Sequence, residues 1–129
     1  MVVKHHVEGY DNFFKFMESI ENQQSNKPII VLFSGSKLPS GRSWCPDCVD
    51  AEPFIEKGLK AAPESAPFIY VEVGDRAFWK DPKCPFRTNP KTKLNVLPTL
   101  SLWGTQKRLE GDQCLNIELI EMMVTDDDD

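Results

Sequence analysis

The residues with the clearest chemical potential are Cys45 and Cys48, in the segment Trp44-Cys45-Pro46-Asp47-Cys48. Two thiols separated by two residues can close a small disulfide ring, and a thiolate of such a pair can attack another disulfide. A Cys-x-x-Cys spacing alone is a weak signal, because zinc sites and inert buried thiols also use it. The surrounding residues must therefore decide between these possibilities.

The flanking residues suit the first turn of a helix. Cys45 falls at the N-cap, where its sulfur can accept hydrogen bonds from N–H groups that have no partner within the helix. Pro46 suits the first helical position, and the charge of Asp47 suits the positive end of the helix. Asp47 also places a negative charge beside the thiols and should oppose thiolate formation. We therefore interpret Pro46 and Asp47 as residues that tune the redox chemistry, and we expect a modest lowering of the pKa of Cys45.

A lowered pKa alone would accelerate exchange only slightly. Moving a thiol pKa from about 8.5 to about 7 gives roughly sixteenfold more thiolate at pH 7. The accompanying loss of intrinsic nucleophilicity is roughly fivefold, which leaves about threefold. Larger gains must come from holding a substrate disulfide in line with Cys45 and from Cys48 acting as an intramolecular thiol.

Two structural alternatives remain beside this interpretation. An inert pair is typical of a strand or of the middle of a helix rather than of a helix start. A four-cysteine zinc site would need a second close pair, whereas Cys84 and Cys114 are isolated. His5 and His6 have no neighbours in the sequence that complete a metal set, and we expect neither a metal nor a cofactor. We interpret Cys84 as a bystander and Cys114 as a small buried residue at the start of the last helix.

The apolar pattern predicts the elements that must position the dithiol. The continuous run Ile29–Phe33 predicts a strand buried on both faces, and the following Gly, Ser and Pro residues predict a loop. Further along, Pro82, Pro85 and Pro90 interrupt any regular element. The predicted order begins with a helix from Tyr10 to Asn22, the first strand, and a helix from Cys45 to Ala62 that contains Pro53. A strand from Phe68 to Val73 and an irregular stretch with a short helix near Phe78 follow. Two strands come after Pro98, and the chain closes with a helix whose inner face carries Leu115, Leu119, Met122 and Met123. This order predicts an α/β sandwich around a mixed sheet.

Composition and charge exclude several classes of function. The chain has 129 residues and a formal charge of −5, four units of which lie in the terminal run Asp126–Asp129. The rest carries only about −1, which argues against a nucleic-acid partner. No apolar run approaches a membrane span, and the first residues lack the apolar segment of a secretory signal. We therefore expect one domain over residues 1–125, an acidic disordered tail over 126–129, no membrane association and a cytoplasmic location.

Three features make the chain similar to the thioredoxin superfamily. They are the Trp44–Cys48 segment, the helix proline Pro53 five residues beyond Cys48, and Leu97-Pro98-Thr99 before the third strand. The resemblance implies a thioredoxin-like fold, with a central mixed sheet flanked by helices on both faces. It also implies that Pro98 follows a cis peptide bond and that Trp44, Leu97 and Pro98 shape the groove that binds substrate backbone.

The chain most closely resembles the family of small cytosolic thioredoxin-related proteins called thioredoxin domain-containing protein 17. The resemblance runs from about Gly9 to Val124 and rests on the dithiol segment and on three further motifs. These motifs are Phe33-Ser34-Gly35-Ser36-Lys37, Ala51-Glu52-Pro53 and Trp79-Lys80-Asp81-Pro82. The family implies a disulfide reductase that is recharged by thioredoxin reductase with electrons from NADPH.

Two departures from ordinary thioredoxins stand out. Many thioredoxins carry a buried carboxylate in the strand before the dithiol, whereas Ile29–Phe33 contains no acid and Asp47 is the nearest carboxylate. The loop from Ser34 to Ser43 is long, and Asp75 to Asn89 resembles an insertion. Both segments could wall the groove and narrow the range of substrates.

We therefore predict a monomeric protein-disulfide reductase in which Cys45 attacks and Cys48 releases the product. Its partners would be disulfide-containing proteins or small disulfides, thioredoxin reductase as electron donor, and peroxide as a minor substrate. The alternative is a non-catalytic thioredoxin-fold module that senses redox state and binds a signalling protein.

Overall fold

A computed structural model of the chain describes residues 1–22 and 27–125, and it contains five strands and five α-helices within these ranges. Two short 3₁₀ turns, at Leu59–Ala61 and Gly111–Leu115, join the regular elements. The elements in chain order are β1 (Val3–Glu8), α1 (Tyr10–Glu21), β2 (Ile30–Ser34), α2 (Pro46–Gly58), β3 (Pro67–Glu72), α3 (Arg76–Lys80), α4 (Pro85–Thr88), β4 (Thr99–Leu102), β5 (Arg108–Glu110) and α5 (Ile117–Thr125).

The five strands form one mixed sheet in the order β1-β3-β2-β4-β5. The strands β1, β3 and β2 are parallel, whereas β4 pairs antiparallel with β2 and with β5. The prediction of a central strand buried on both faces is confirmed, because every residue of β2 is buried. Such a strand needs an apolar side chain on each face, which explains its continuous apolar run.

Helices cover both faces of the sheet, as predicted. On one face, Phe13 and Met17 of α1 belong to a buried cluster that includes Phe86 of α4. On the other face, Ile55 of α2 and Ile120 of α5 belong to a second buried cluster. The fold is an α/β thioredoxin-like fold.

The predicted order begins with a helix, and this is wrong because a strand precedes it. The segment Val3–Glu8 forms β1, an edge strand that pairs in parallel with β3 from Val3↔Pro67 to Glu8↔Glu72. Only Val7 of this strand is buried, so it shows no run of apolar residues that would predict it. An edge strand is stabilised mainly by its backbone hydrogen bonds to a neighbour distant in the sequence.

Two details of the later helices also differ from the prediction. Pro85 does not interrupt structure but occupies the first turn of α4, a position that proline tolerates well. The last α-helix begins at Ile117 after a 3₁₀ turn, and its buried side carries Ile120, Met123 and Val124. Met122, predicted to face inward, is 67% exposed, because the 3₁₀ turn changes the phase of the helix.

The predicted acidic tail, residues 126–129, lies outside the described residues. Within the described ranges, none of the helices has the length and apolar character that crossing a membrane requires.

Candidate active site

Cys45 caps the N-terminus of α2, as the sequence predicts. Its backbone is extended, at φ −91° and ψ 108°, and its Sγ accepts a hydrogen bond from the N–H of Cys48 at 3.3 Å. The Cys45 carbonyl oxygen then accepts the first helical bond, from the N–H of Val49 at 3.1 Å. The first turn of the helix thus aims one of its free N–H groups at the sulfur.

Ser43 fixes the approach of the chain to this cap. Its hydroxyl oxygen accepts a hydrogen bond from the Cys45 N–H at 3.1 Å and donates to the Gly35 carbonyl oxygen at 2.7 Å. The residue before the dithiol, Trp44, donates from its indole Nε1 to the Gly74 carbonyl oxygen at 2.8 Å. These bonds attach the dithiol segment to the ends of β2 and β3.

The pKa of Cys45 is lowered from an ordinary value of 9.0 to about 7. The largest cause is a hydrogen bond from the Cys48 thiol, and the N–H groups of Cys48 and Asp47 act in the same direction. Burial and the Asp47 carboxylate both oppose the shift. The expectation of a modest lowering, opposed by Asp47, is confirmed.

The pKa of Cys48 is raised, because its proton is shared with the Cys45 sulfur and because the side chain is buried. Two donors oppose this shift, the N–H of Gly35 and the hydroxyl of Ser34. The two sulfurs therefore differ: Cys45 ionises first, near neutral pH, and Cys48 keeps its proton. This difference is what sequential attack by two cysteines requires.

The dithiol is less exposed than the sequence suggests. Cys45 is 6% exposed and Cys48 is 4% exposed, and both belong to the buried cluster on the α1 side of the sheet. The interpretation of Cys45 as the attacking thiol expects its sulfur to be presented to solvent at the tip of the helix, and this expectation is wrong. Ser43 and Trp44 are hydrogen-bonded to Gly35 and Gly74, which follow β2 and β3. These bonds hold the dithiol segment against the ends of the two strands.

The Leu97–Pro98 peptide bond is cis, as the resemblance implies. Leu97 is 4% exposed and Pro98 is buried, and both come directly before β4. The Pro98 carbonyl oxygen accepts the Gly111 N–H at 2.9 Å. The preceding residues Asn95 and Val96 are exposed, Val96 by 36%, so solvent reaches the turn on that side.

The remaining two cysteines are buried away from solvent. Cys84 is 2% exposed at the N-cap of α4, and Cys114 is 0% exposed in the 3₁₀ turn before α5. Burial raises the pKa of Cys114 to about 11. The prediction that Cys114 is a buried small residue is confirmed, and all four cysteines are free thiols.

Three side chains at the β1 edge approach one another more closely than the sequence predicts. The ligand atoms of His6, Glu8 and Glu72 lie within 4.8 Å of one another, and His6 Nε2 contacts a carboxylate oxygen of Glu72. The expectation that nothing near the histidines completes such a set is wrong, because β1 and β3 bring them together. The other Glu72 oxygen accepts the N–H of Lys37 at 2.7 Å, so Glu72 has protein partners of its own.

Two polar residues of the sheet, Ser34 and Tyr70, are not predicted from the sequence. Ser34 is predicted to lie in a loop, whereas it ends β2 and is 3% exposed. Tyr70 on β3 donates a hydrogen bond from its hydroxyl to the Ser34 hydroxyl oxygen at 3.3 Å. A polar residue that continues an apolar strand run is the one signal that could have revealed this position.

The fold and the dithiol at the start of α2 define a thioredoxin-like domain. More specifically, the chain matches the family described as "Thioredoxin domain-containing protein 17-like, thioredoxin domain" over residues 6–126, and it belongs to that family. It is 42% identical to human Thioredoxin domain-containing protein 17 over 121 residues, which are 94% of each chain. It is 44% identical to the mouse protein of that name over 119 residues, 92% of each chain. The Arabidopsis thaliana Thioredoxin-like protein Clot is 38% identical over 100 residues, 75% of each chain.

Proposed function

We propose that the protein is a thiol–disulfide oxidoreductase that reduces disulfides of protein substrates. The observation that carries this proposal is the Cys45 sulfur at the N-cap, which receives both the N–H and the S–H of Cys48. With a pKa of about 7, Cys45 is about half thiolate at neutral pH, against roughly 1% at a pKa of 9.

The reaction proceeds in two exchanges. The Cys45 thiolate attacks one sulfur of the substrate disulfide, and the other substrate sulfur leaves and takes up a proton. Cys48 then loses its proton and attacks the Cys45 sulfur, which releases the second substrate thiol and leaves a Cys45–Cys48 disulfide. The substrate gains two electrons and two protons: the dithiol supplies both electrons and the Cys48 proton, and the solvent supplies the proton that Cys45 released when it ionised.

NADPH-linked thioredoxin reductase returns two electrons to the oxidised dithiol in the proposed cycle. Peroxide is a minor oxidant of the same pair. The protein acts as a monomer in the cytoplasm, where thiols are kept reduced.

The surroundings of the dithiol determine which disulfides can approach it. Trp44, Leu97 and Pro98 contact the substrate backbone, whereas Pro46 and Asp47 tune the reactivity of the sulfurs. The low exposure of Cys45 restricts access to disulfides on a segment that fits against the surface beside it. The loop over 35–43 and the segment over 75–89 wall this surface, which narrows the range of substrates relative to an ordinary thioredoxin.

The test is steady-state reduction of a protein disulfide and of cystine with NADPH and thioredoxin reductase supplied. We expect many turnovers per molecule, none with Cys45→Ser, and a stable covalent adduct on Cys45 with Cys48→Ser. NADPH consumption that stops after one equivalent of substrate, or an adduct on another cysteine, would contradict the proposal.

The low exposure of both cysteines favours one alternative, a redox-sensing interaction module. Such a module would be oxidised once and would change its affinity for a partner without turnover. The same assay separates the two functions, because a sensor would reduce about one substrate disulfide per molecule, whereas an oxidoreductase would reduce many.

A further inference from the structure

The loop between β2 and α2 contains a small hairpin, and a buried carboxylate holds its first arm. Lys37 and Ser43 pair antiparallel across this loop hairpin, residues 36–44. The two hydrogen bonds of the pairing join the neighbours of these residues, at 2.7 and 3.2 Å, so the N–H of Lys37 itself points away from the hairpin. That N–H donates to Oε1 of Glu72 at 2.7 Å.

Glu72 occupies a buried position at the end of the sheet. It is the last residue of β3 and is 5% exposed. Because β3 lies between β1 and β2, its neighbours across the sheet are Glu8 and Ser34, the last residues of those strands. The second carboxylate oxygen of Glu72 contacts Nε2 of His6. A buried carboxylate requires partners, and each oxygen of Glu72 has one in the described part of the chain.

The second arm of the loop hairpin leads directly into the dithiol. Ser43 is the partner of Lys37 in the hairpin. Its hydroxyl oxygen accepts the Cys45 N–H at 3.1 Å, and the hydroxyl donates to the Gly35 carbonyl oxygen at 2.7 Å. The Lys37 side chain is held as well, with its Nζ 5.2 Å from the centre of the Tyr70 ring on β3. A bond that fixes Lys37 therefore reaches Cys45 through the hairpin pairing and one side-chain hydrogen bond.

We propose that Glu72 is a positioning residue: its carboxylate fixes the loop hairpin, and the hairpin fixes the Cys45 sulfur at the N-terminus of α2. This role rests on the proposed function, since it concerns how the attacking sulfur is held for a substrate disulfide. Disulfide exchange needs the reacting sulfurs in line, and a displacement of about 1 Å can lower a rate by about 10²-fold. Glu72 acts only through Lys37 and Ser43, and it takes no part in bond making or proton transfer.

Hydrogen exchange, read residue by residue by NMR, tests this bond in the unsubstituted protein. The Lys37 N–H lies outside the two hydrogen bonds of the hairpin, so its protection depends on the bond to Glu72. We expect it to exchange about tenfold or more slower than an exposed amide, because a hydrogen bond to a charged group is a strong one. Unprotected exchange at Lys37 would overturn the proposal without any variant.

Two substitutions at Glu72 test the connection to Cys45. Glu72→Met removes the acceptor and keeps a long side chain in the buried position, whereas Glu72→Gln keeps an acceptor oxygen without the charge. In Glu72→Met we expect faster exchange of the N–H groups of Lys37 and Cys45, and a kcat/KM for a protein disulfide about threefold to tenfold lower. Glu72→Gln should restore most of both. The control Glu8→Ala, which removes the exposed carboxylate beside Glu72, should change neither.

The pH profile of alkylation at Cys45 separates an effect of position from an effect of charge. The groups that shift the pKa of Cys45 do not include Glu72. The midpoint should therefore rise in Glu72→Met, because the sulfur moves off the helix N–H groups, and stay in place in Glu72→Gln. An equal shift in both variants would show a charge effect, and unchanged exchange at Cys45 in Glu72→Met would show a bond whose influence ends at Lys37. Either result would overturn the proposal.

Failure of the proposed function would look different. The unsubstituted protein would then show no turnover, while hydrogen exchange at Lys37 and Cys45 would still report the positioning. If Glu72→Met does not fold, Ser43→Ala removes the last link at a half-buried residue and should give the same faster exchange at Cys45 and the same loss of kcat/KM. Unchanged exchange at Cys45 in Ser43→Ala would overturn the proposal in that case.

Discussion

The Gly74 carbonyl oxygen accepts the indole N–H of Trp44 at 2.8 Å, and this bond joins the dithiol segment to the end of β3. The same oxygen accepts the N–H of Ser36 at 3.0 Å, while the Gly74 N–H donates to the Ser36 hydroxyl at 2.9 Å. Both ends of the loop between β2 and α2 are therefore attached to one residue. Gly74 has φ +127°, and a Cβ there would lie 2.7 Å from a ring carbon of Phe78, so only glycine fits.

We expect Trp44→Phe to loosen this loop without unfolding the protein. The change removes the bond to Gly74, which is worth about 1 kcal/mol, while the backbone bonds of Ser36 remain. Hydrogen exchange should show faster exchange at the backbone N–H of Trp44, which donates to the Ser36 carbonyl oxygen at 3.2 Å. The matched control is Trp103→Phe, because the indole of Trp103 donates to Glu21 of α1 and not to Gly74. Equal loop exchange in the two variants would contradict the assigned role of the indole.

Gly35 is required by the close approach of the dithiol segment to the end of β2. A Cβ at this position would lie 2.7 Å from Cε2 of Trp44 and 3.0 Å from Cβ of Cys45. The indole is rigid and held by Gly74, so the clash cannot be relieved by a small rotation. We expect Gly35→Ala to lower the free energy of unfolding by about 1–3 kcal/mol and to reduce the rate of alkylation at Cys45.

Gly58→Ala is the control for overpacking away from the site. Its Cβ would lie 2.3 Å from Cγ2 of Ile120, between α2 and α5. The helix propensity of alanine returns about 0.5–1 kcal/mol, which does not offset a clash of this size. Urea unfolding should therefore show both variants destabilised, whereas the alkylation rate of Cys45 should change only in Gly35→Ala.

The start of α2 could be predicted from the sequence because its cues are local. An N-cap residue, a proline at the first helical position and an acid in the first turn all lie within four residues of Cys45. The central strand β2 could be predicted for the same reason, since its continuous apolar run records burial on both faces. The cis bond before Pro98 came from the resemblance alone.

The features that escaped prediction depend on contacts between distant residues. The burial of Ser34 depends on where β2 ends, and the strand continues one residue past the apolar run. Tyr70 reaches Ser34 only through the pairing of β2 with β3. The low exposure of Cys45 likewise follows from the hydrogen bonds that hold the loop against Gly74. Gly74 is 30 residues from Trp44 in the sequence, so no local pattern predicts this contact.

Thiol counting should separate Cys45 from the other three cysteines. Cys45 is only slightly more exposed, at 6%, than Cys48, Cys84 and Cys114, at 4%, 2% and 0%, so its thiolate character must make the difference. The pKa of Cys45 is about 7, whereas burial raises the pKa of Cys114 to about 11. We expect iodoacetamide to modify one thiol quickly in the native protein, and all four in denaturant. Peptide mass mapping should place the fast site at Cys45, and Cys45→Ser should abolish the fast phase. Rapid modification of Cys84 in the native protein would contradict the assignment of Cys45 as the reactive thiol.

The pH dependence of alkylation at Cys45 tests the electrostatics of the site. Because the thiolate is the reacting form and exists above the pKa, the rate should rise with pH and reach half its maximum near pH 7. Cys48→Ala removes the donor that lowers this pKa most, so the midpoint should move up by about one pH unit.

Asp47→Asn removes a charge that raises the pKa of Cys45, so the midpoint should move down, by about 0.3 pH unit because the carboxylate is exposed. Asp50→Asn, which changes an exposed acid of α2 that has no part in the shift, should leave the midpoint in place. If Cys48→Ala leaves the midpoint unchanged, the helix N–H groups alone stabilise the Cys45 thiolate. If the midpoint of the unsubstituted protein lies near pH 9, the site does not stabilise the thiolate at all.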